Sequence, residues 1–217
     1  MKDIPMFTGE YGVASLILKE IPHTQLAYIK LHSTLEPDKL LQECIAFCRM
    51  CGAETILASG HSHLESYPLH TRIYGMQCPR DALPESDACL FPVTEQTLPQ
   101  WLQIYNQRMN GVDNSAYMDS RDGKQMLQSG DGYFVHKDGK LLGIGRASGD
   151  TVDAVIAAEP GMGQRVLSAL AGALSSELVH LTVAGTNQRA MRLYERLGFL
   201  VTREISSWYL VYTEERR

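Results

Sequence analysis

The chain has 217 residues, 44% of them apolar, and a formal net charge of −5 from 20 basic and 25 acidic residues. That length and apolar content suffice for one large or two small packed cores. The few, scattered basic residues argue against a broad phosphate-backbone surface, so a nucleic-acid partner is not expected. The opening Met-Lys-Asp-Ile-Pro lacks the apolar stretch of a signal peptide, and no apolar run reaches the roughly 18 residues of a membrane span. No membrane partner is expected, and a cytoplasmic location is.

In chain order, strands are predicted over Tyr11 to Lys19 and Leu26 to His32, joined by a turn at Pro22 and His23. A helix follows from Pro37, in its first turn, to Cys51, with Gly52 as its stop. Cys44, Cys48 and Cys51 fall at i, i+4 and i+7, hence on one face. Thiols stacked along one helix are poorly directed for a tetrahedral site even with His61 and His63 nearby, so they read as small buried apolar residues and no metal is expected. A strand from Glu54 to Ser59, a loop, and a strand near Leu69 to Gln77 complete the first half. The helix here is entered through Ser33-Thr34-Leu35-Glu36-Pro37, without glycine, and Glu36 and Asp38 would repel a phosphate. Pro84-Glu85-Ser86-Asp87 reads as an exposed junction, dividing residues 1–86 from residues 87–217.

The second half opens with a short strand, Phe91 to Thr94. A helix capped by Thr97 then carries Leu98, Trp101, Leu102, Tyr105 and Met109 on its apolar stripe. A weaker helix spans Arg121 to Gln128 and is closed by Gly130. Tyr133 to Lys137 and Leu141 to Arg146 form a hairpin about Asp138-Gly139, a type I′ turn pair. The strand Val152 to Ala158 runs into Glu159-Pro160-Gly161-Met162-Gly163-Gln164-Arg165, after which Val166, Leu167, Leu170 and Leu174 mark a helix. A strand from Leu178 to Ala184 precedes Asn187 to Phe199, N-Q-R-A-M-R-L-Y-E-R-L-G-F, in which Asn187 can cap a helix that Gly198 ends and that presents Tyr194. Phe199 to Glu204 and Trp208 to Thr213 finish as two strands.

Amides at a helix N-terminus, with glycines admitting close approach, suit a pyrophosphate or another anion, although Gly161 and Gly163 would also serve as plain turn residues. The spacing is neither a dinucleotide fingerprint nor a P-loop. Taken together, however, strand, G-x-G turn, helix, strand and N-x-x-A-x-x-L-Y-E-x-L-G-F resemble the GNAT superfamily of acyl-CoA N-acyltransferases, over residues 91 to 213. The resemblance implies an α/β fold with a central mixed sheet flanked by helices, in two tandem GNAT-like units of which the first is degenerate. It implies an acetyl-CoA cosubstrate whose pyrophosphate meets the amides of Gly161, Met162, Gly163, Gln164 and Arg165. Ile156 and Ala158 would pair with the pantetheine arm, Asn187 would contact the cofactor, and Tyr194 would protonate the departing thiolate. The turn departs from the family's R/Q-G-x-G-x-G/A: Pro160 directly precedes Gly161, and Arg165 stands at the last small position.

Aminolysis of a thioester also needs a neutral amine. Asp153, early on the strand before the turn, is the candidate base, ahead of Glu159 and His136; deprotonation through ordered water is the alternative. Arg189 and Arg192 could assist with phosphates or be solvated helix charges. The expected function is N-acetylation of a primary amine of a small molecule or peptide by direct attack, with the acceptor pocket built from loops such as Asn110 to Gly132. A non-catalytic acyl-CoA-binding or interaction protein of the same fold is the alternative.

Overall fold

The computed structural model describes residues 2–113 and 115–214. In chain order its elements are β1 (Ile4–Gly9), β2 (Gly12–Ile17), α1 (Ile21–Thr24), β3 (Leu26–Thr34), α2 (Pro37–Met50), β4 (Thr55–Ser59), β5 (Leu69–Pro79) and β6 (Cys89–Pro92). There follow α3 (Leu98–Met109), α4 (Ser120–Ser129), β7 (Gly132–Lys137), β8 (Lys140–Ser148), β9 (Thr151–Ala157), α5 (Gly163–Gly172), β10 (Leu178–Ala184), α6 (Gln188–Arg196) and β11 (Leu200–Thr213). Two compact units result, Met1–Ile73 with Ile205–Arg217, and Tyr74–Glu204. This division is discontinuous: β5 and β11 each contribute to both units, whereas the composition of the sequence suggested one junction at Pro84 to Asp87.

In the first unit, β1, β2 and β3 are antiparallel neighbours, and β3 runs parallel to β4 in an unbroken register from Leu26↔Thr55 to Lys30↔Ser59. The later half of β11 closes the other side of β4, antiparallel, at Tyr209↔Ala58 and Leu210↔Leu57. The apolar face of α2 buries Leu40, Leu41, Cys44 and Cys48 against Leu16, Ile29 and Ile56. Burial pushes the Cys44 and Cys48 thiols up to about 12, so they remain protonated and unreactive at neutral pH. Among the described residues no group of three or more His, Cys, Asp or Glu is placed to hold a metal ion, and no helix is long and apolar enough to cross a membrane.

The second unit is a mixed sheet in the order β5-β10-β9-β8-β7-β6 with a helix layer on each face. On one face α5 and α6 bury Val166, Leu170, Tyr194 and Leu197 against Val179, Val183 and Phe199. On the other, Trp101 and Tyr105 of α3 and Met126 of α4 cover Phe134, Ile144 and Ile156. The hairpin turn has both residues at positive φ, Asp138 at 50° and Gly139 at 75°, as a type I′ turn requires.

Three elements differ from expectation. Strand β1 was not anticipated: Pro5 interrupts its pattern, and proline is tolerated there because β1 is an edge strand. Strand β6 lies two residues earlier than predicted. The two expected C-terminal strands are one 14-residue strand, in which the polar Ser206-Ser207 pair marks no break.

Candidate active site

Strands β9 and β10 are parallel neighbours, yet they share one register pair, His180↔Thr151, at their beginnings. Beyond it they part, so the backbone of β9 that faces β10 lacks a ladder partner along most of its length. Which groups face the opening follows from the other edge of β9. The Ala158 amide donates to the Leu142 carbonyl at 2.8 Å, and the register Ile144↔Ile156, Gly143↔Ala157 continues without a slip. Hydrogen-bonded and non-bonded pairs alternate along an antiparallel ladder, so Ile156 and Ala158 direct their amides to β8, while Val155 and Ala157 direct theirs toward the opening. The Ala158 carbonyl is occupied as well, accepting from Arg108 Nη2 of α3 at 2.6 Å. Ile156 and Ala158, the residues expected beside a pantetheine arm, thus turn their amides to β8. A one-residue offset reverses every amide in a strand, and its sense is set by pairing with β8 that no local pattern encodes.

The opening leads to the N-terminus of α5. Gly161 holds φ at +92°, which turns the chain from β9 into the helix, and Met162 occupies the cap position without a side-chain cap. The amides of Gly163, Gln164 and Arg165 have no acceptor among the described residues, and the helix's first turn carries no acid. Three unspent donors at the positive end of a ten-residue helix suit an anion. Gly163 lies against α6: a Cβ there would come within 2.9 Å of Leu193 Cδ2. Arg165 is exposed; the Asp87 carboxyl is held below its usual range chiefly by the hydrogen bond it accepts from Lys137, with the charge of Arg165 a smaller contribution. Ser86 Oγ donates to the Arg165 carbonyl at 3.4 Å, joining the 84–87 segment to this turn.

Helix α6 begins as its sequence suggests. Asn187 Oδ1 accepts from the Ala190 amide at 3.1 Å, and Gly198 leaves the helix at φ +87°. Tyr194 is only 8% exposed and packs on Phe199 with ring centroids 5.8 Å apart. Its hydroxyl bonds to no described residue, and burial pushes the phenol up to about 12.

Asp153 lies on β9 at a β-bulge. The residue is exposed by surface area, and its carboxyl is raised by partial desolvation, which Arg146 opposes and to which the negative charge of Asp131 adds a smaller contribution. The other acid and base candidates have plainer surroundings: Glu159 is exposed and its carbonyl accepts from the Met162 amide, while the His136 ring packs edge-on against Phe91 and Phe134. Arg189 and Arg192 are exposed on α6. Side chains that sequence patterns did not single out include Arg108, which ties α3 to the end of β9, and Asp113, whose Oδ2 accepts from Thr186 Oγ1 at 2.5 Å and so ties the α3–α4 loop to the loop before α6. Both join residues 50 or more apart in sequence, out of reach of local periodicity.

This is a mixed α/β unit whose parted parallel strands end at an uncapped helix N-terminus. The chain has the GNAT fold, which it shares with several solved structures. It resembles a GCN5-related N-acetyltransferase from Sphaerobacter thermophilus (TM-score 0.56, 13% identity, 94% of this chain and 78% of that one). It also resembles a GNAT-family acetyltransferase from Colwellia psychrerythraea (0.52, 12%, 94% and 84%). A tandem GNAT protein from the clavulanic acid biosynthesis pathway matches over 94% of this chain and 80% of its own, at a TM-score of 0.54 and 12% identity. No family model matches the sequence, and no curated protein does.

Proposed function

We propose that the chain is an acetyl-CoA-dependent N-acetyltransferase acting on a primary amine of a small molecule or peptide. The observation that carries this reading is the junction of two unpaired backbone surfaces, the β10-facing edge of β9 and the amides of Gly163, Gln164 and Arg165. One suits an extended amide-bearing arm and the other a pyrophosphate. Acetyl-CoA brings an activated thioester that needs no further activation by the protein. Gly161 to Arg165, including Met162, hold its phosphates, and the edge at Val155 and Ala157 takes the arm, with Ile156 and Ala158 keeping β9 on β8. Asn187 holds the start of α6 beside the same turn.

Tyr194 is proposed to face the leaving sulfur and Asp153 to take the proton of the attacking amine. A phenol near 12 is a weaker acid than a free thiol near ~8.5, by ~3.5 units or ~5 kcal/mol in water. Tyr194 therefore acts first as a hydrogen-bond donor to developing thiolate charge; full proton transfer depends on the same apolar wall raising the proton affinity of the sulfur. The raised carboxyl of Asp153 makes it a better base than a solvated aspartate. That weak acidity of Tyr194 is also what favours the second reading, a protein that binds acyl-CoA without turning it over.

Isothermal titration with acetyl-CoA is expected to give a dissociation constant on the order of micromolar, and an amine panel to release free thiol. Silence at millimolar acetyl-CoA would refute both readings; binding without thiol release for any amine would leave the second.

A further inference from the structure

One short segment is bonded to the ends of both parted strands. Arg108, in the last turn of α3, donates through Nη2 to the Ala158 carbonyl at the end of β9 at 2.6 Å, and Asp113 Oδ2 accepts from Thr186 Oγ1, just beyond β10, at 2.5 Å. Between these two bonds the chain is folded rather than slack. Asn110 has φ −58° and ψ 124°, Gly111 has φ +75°, and the Val112 amide donates to the Met109 carbonyl at 3.0 Å, which together make a type II turn. Asn106 holds the returning chain: its side-chain Nδ2 donates to the Met118 carbonyl and its Oδ1 accepts from the Met118 amide, each at 2.9 Å. Residues 108–113 are thus a short, folded link from the end of one strand to the end of its neighbour.

Strand pairing does not set the distance that this link spans, because β9 and β10 share the one register pair at their beginnings. Unpaired amides and carbonyls on parallel neighbours favour closure into a ladder about 4.8 Å wide. An extended guest that pairs with β9 needs roughly one strand spacing more, about 9–10 Å in all. The opening therefore has to be held. On the α5 and α6 face, Val152 and Val155 of β9 share a core with Val179 and Val183 of β10. On the opposite face, where Trp101 and Tyr105 of α3 cover Ile156, the link joins the strands at the ends farthest from their shared pair. Both of its bonds are charge-assisted, a guanidinium on a carbonyl and a hydroxyl on a carboxylate, and are stronger than their neutral counterparts.

We propose that residues 108–113 are a spacer for the β9–β10 opening, with Arg108 and Asp113 as positioning residues that keep the unpaired edge of β9, at Val155 and Ala157, accessible. The link limits movement in both senses. Its two bonds oppose further parting of the strand ends, and its folded turn opposes their closure. Use of the opening for a pantetheine arm rests on the acetyltransferase reading; the holding of the two strands does not.

The test begins with hydrogen exchange in the full chain without ligand. When Arg108→Ala is combined with Thr186→Val, exchange at the Val155 and Ala157 amides is expected to slow by about tenfold or more as the edge closes onto β10, while the Ile156 amide, already turned to β8, is unaffected. Unchanged exchange at both amides in the folded double variant overturns the proposal. Should that variant not fold, either single substitution carries the same test, and Thr186→Ser, which keeps the hydroxyl, should retain wild-type exchange. Calorimetry then compares acetyl-CoA with ADP bearing a ribose 3′-phosphate, the part of CoA that lacks the arm. Arg108→Ala and Thr186→Val are each expected to weaken acetyl-CoA binding by about tenfold and nucleotide binding by less than about twofold, a split that general destabilisation would not produce. Equal loss of both ligands in Arg108→Ala would make the guanidinium a phosphate ligand instead and overturn the proposal. Absence of acetyl-CoA binding by the wild-type chain would refute the acetyltransferase reading, and the exchange measurement would still decide whether the link holds the strands apart.

Discussion

The ring of Tyr194 is packed in the core, and its hydroxyl bonds to no described residue. Removing that oxygen alone deletes no internal hydrogen bond and preserves the contact with Phe199. Tyr194→Phe is therefore expected to unfold at the wild-type temperature within about 2 °C, while kcat falls tenfold or more and KM for acetyl-CoA changes little. Stopped-time thiol-release kinetics beside a thermal melt would check both halves, and unchanged turnover would remove the phenol from the mechanism. The contrast is Tyr194→Ala, which should cost about 3–5 kcal/mol as a cavity in the core. Residue chemistry of this kind was legible in sequence only where it is local. Asn187 capping its own helix follows from a three-residue spacing, whereas Asp131 meeting Arg146 depends on a hairpin that brings positions 15 apart together. The direction of the Ala158 amide depends on a partner strand, which lies outside the motif.

Among the elements, the turn between β9 and α5 was the one whose form could be read most directly, because Gly161 and Gly163 bracket a strand-to-helix transition. The two glycines now separate by physical cause. Gly161 needs its conformation: φ is +92°, and a Cβ there would meet nothing within 4 Å. Gly163 lies in the helix itself, and an added methyl would press only on the flexible end of Leu193, at 2.9 Å. Gly161→Ala is accordingly expected to lower stability by about 1–2 kcal/mol through backbone strain alone and to weaken acetyl-CoA binding by tenfold or more, as the amides are redirected. Gly163→Ala should cost less in both. Urea denaturation with parallel calorimetric titration would resolve the order, and equal effects would show that space rather than φ governs the turn. Elements with strong periodicity, such as α2, α3 and the β7–β8 hairpin, form where their sequences suggest, although Thr97 does not cap α3 with its side chain, whose oxygen accepts from the Thr94 amide instead. Strands β1 and β11 did not follow from pattern, since an edge strand tolerates Pro5, and the first six residues of β11 are all exposed and show no alternation.

Across the whole molecule each unit contains a strand, a helix and a parallel strand in succession, and the two versions have opposite chemistry. In the first, β3 and β4 stay paired over five consecutive register positions, and β4 is closed on its other side by β11. The helix between them starts at Glu36 and Pro37 with Asp38 in its first turn, and Glu36 is itself engaged by Lys39 at 2.7 Å. No backbone edge is open there, and the helix N-terminus already carries negative charge, which opposes an anion. In the second, β9 and β10 share one pair and α5 starts without an acid. The tandem arrangement should thus bind one acyl-CoA per chain, in the second unit alone. Calorimetric stoichiometry is expected at one, and hydrogen exchange with saturating acetyl-CoA should slow at the amides of Val155, Ala157, Gly163, Gln164 and Arg165 while Lys30 to Ser59 exchange at unchanged rates. Removing the negative charges of Glu36 and Asp38 should leave the stoichiometry at one, because the closed β3–β4 pair still offers no place for the arm. A second equivalent bound by that variant would show that charge alone, and not strand separation, had kept the first unit empty.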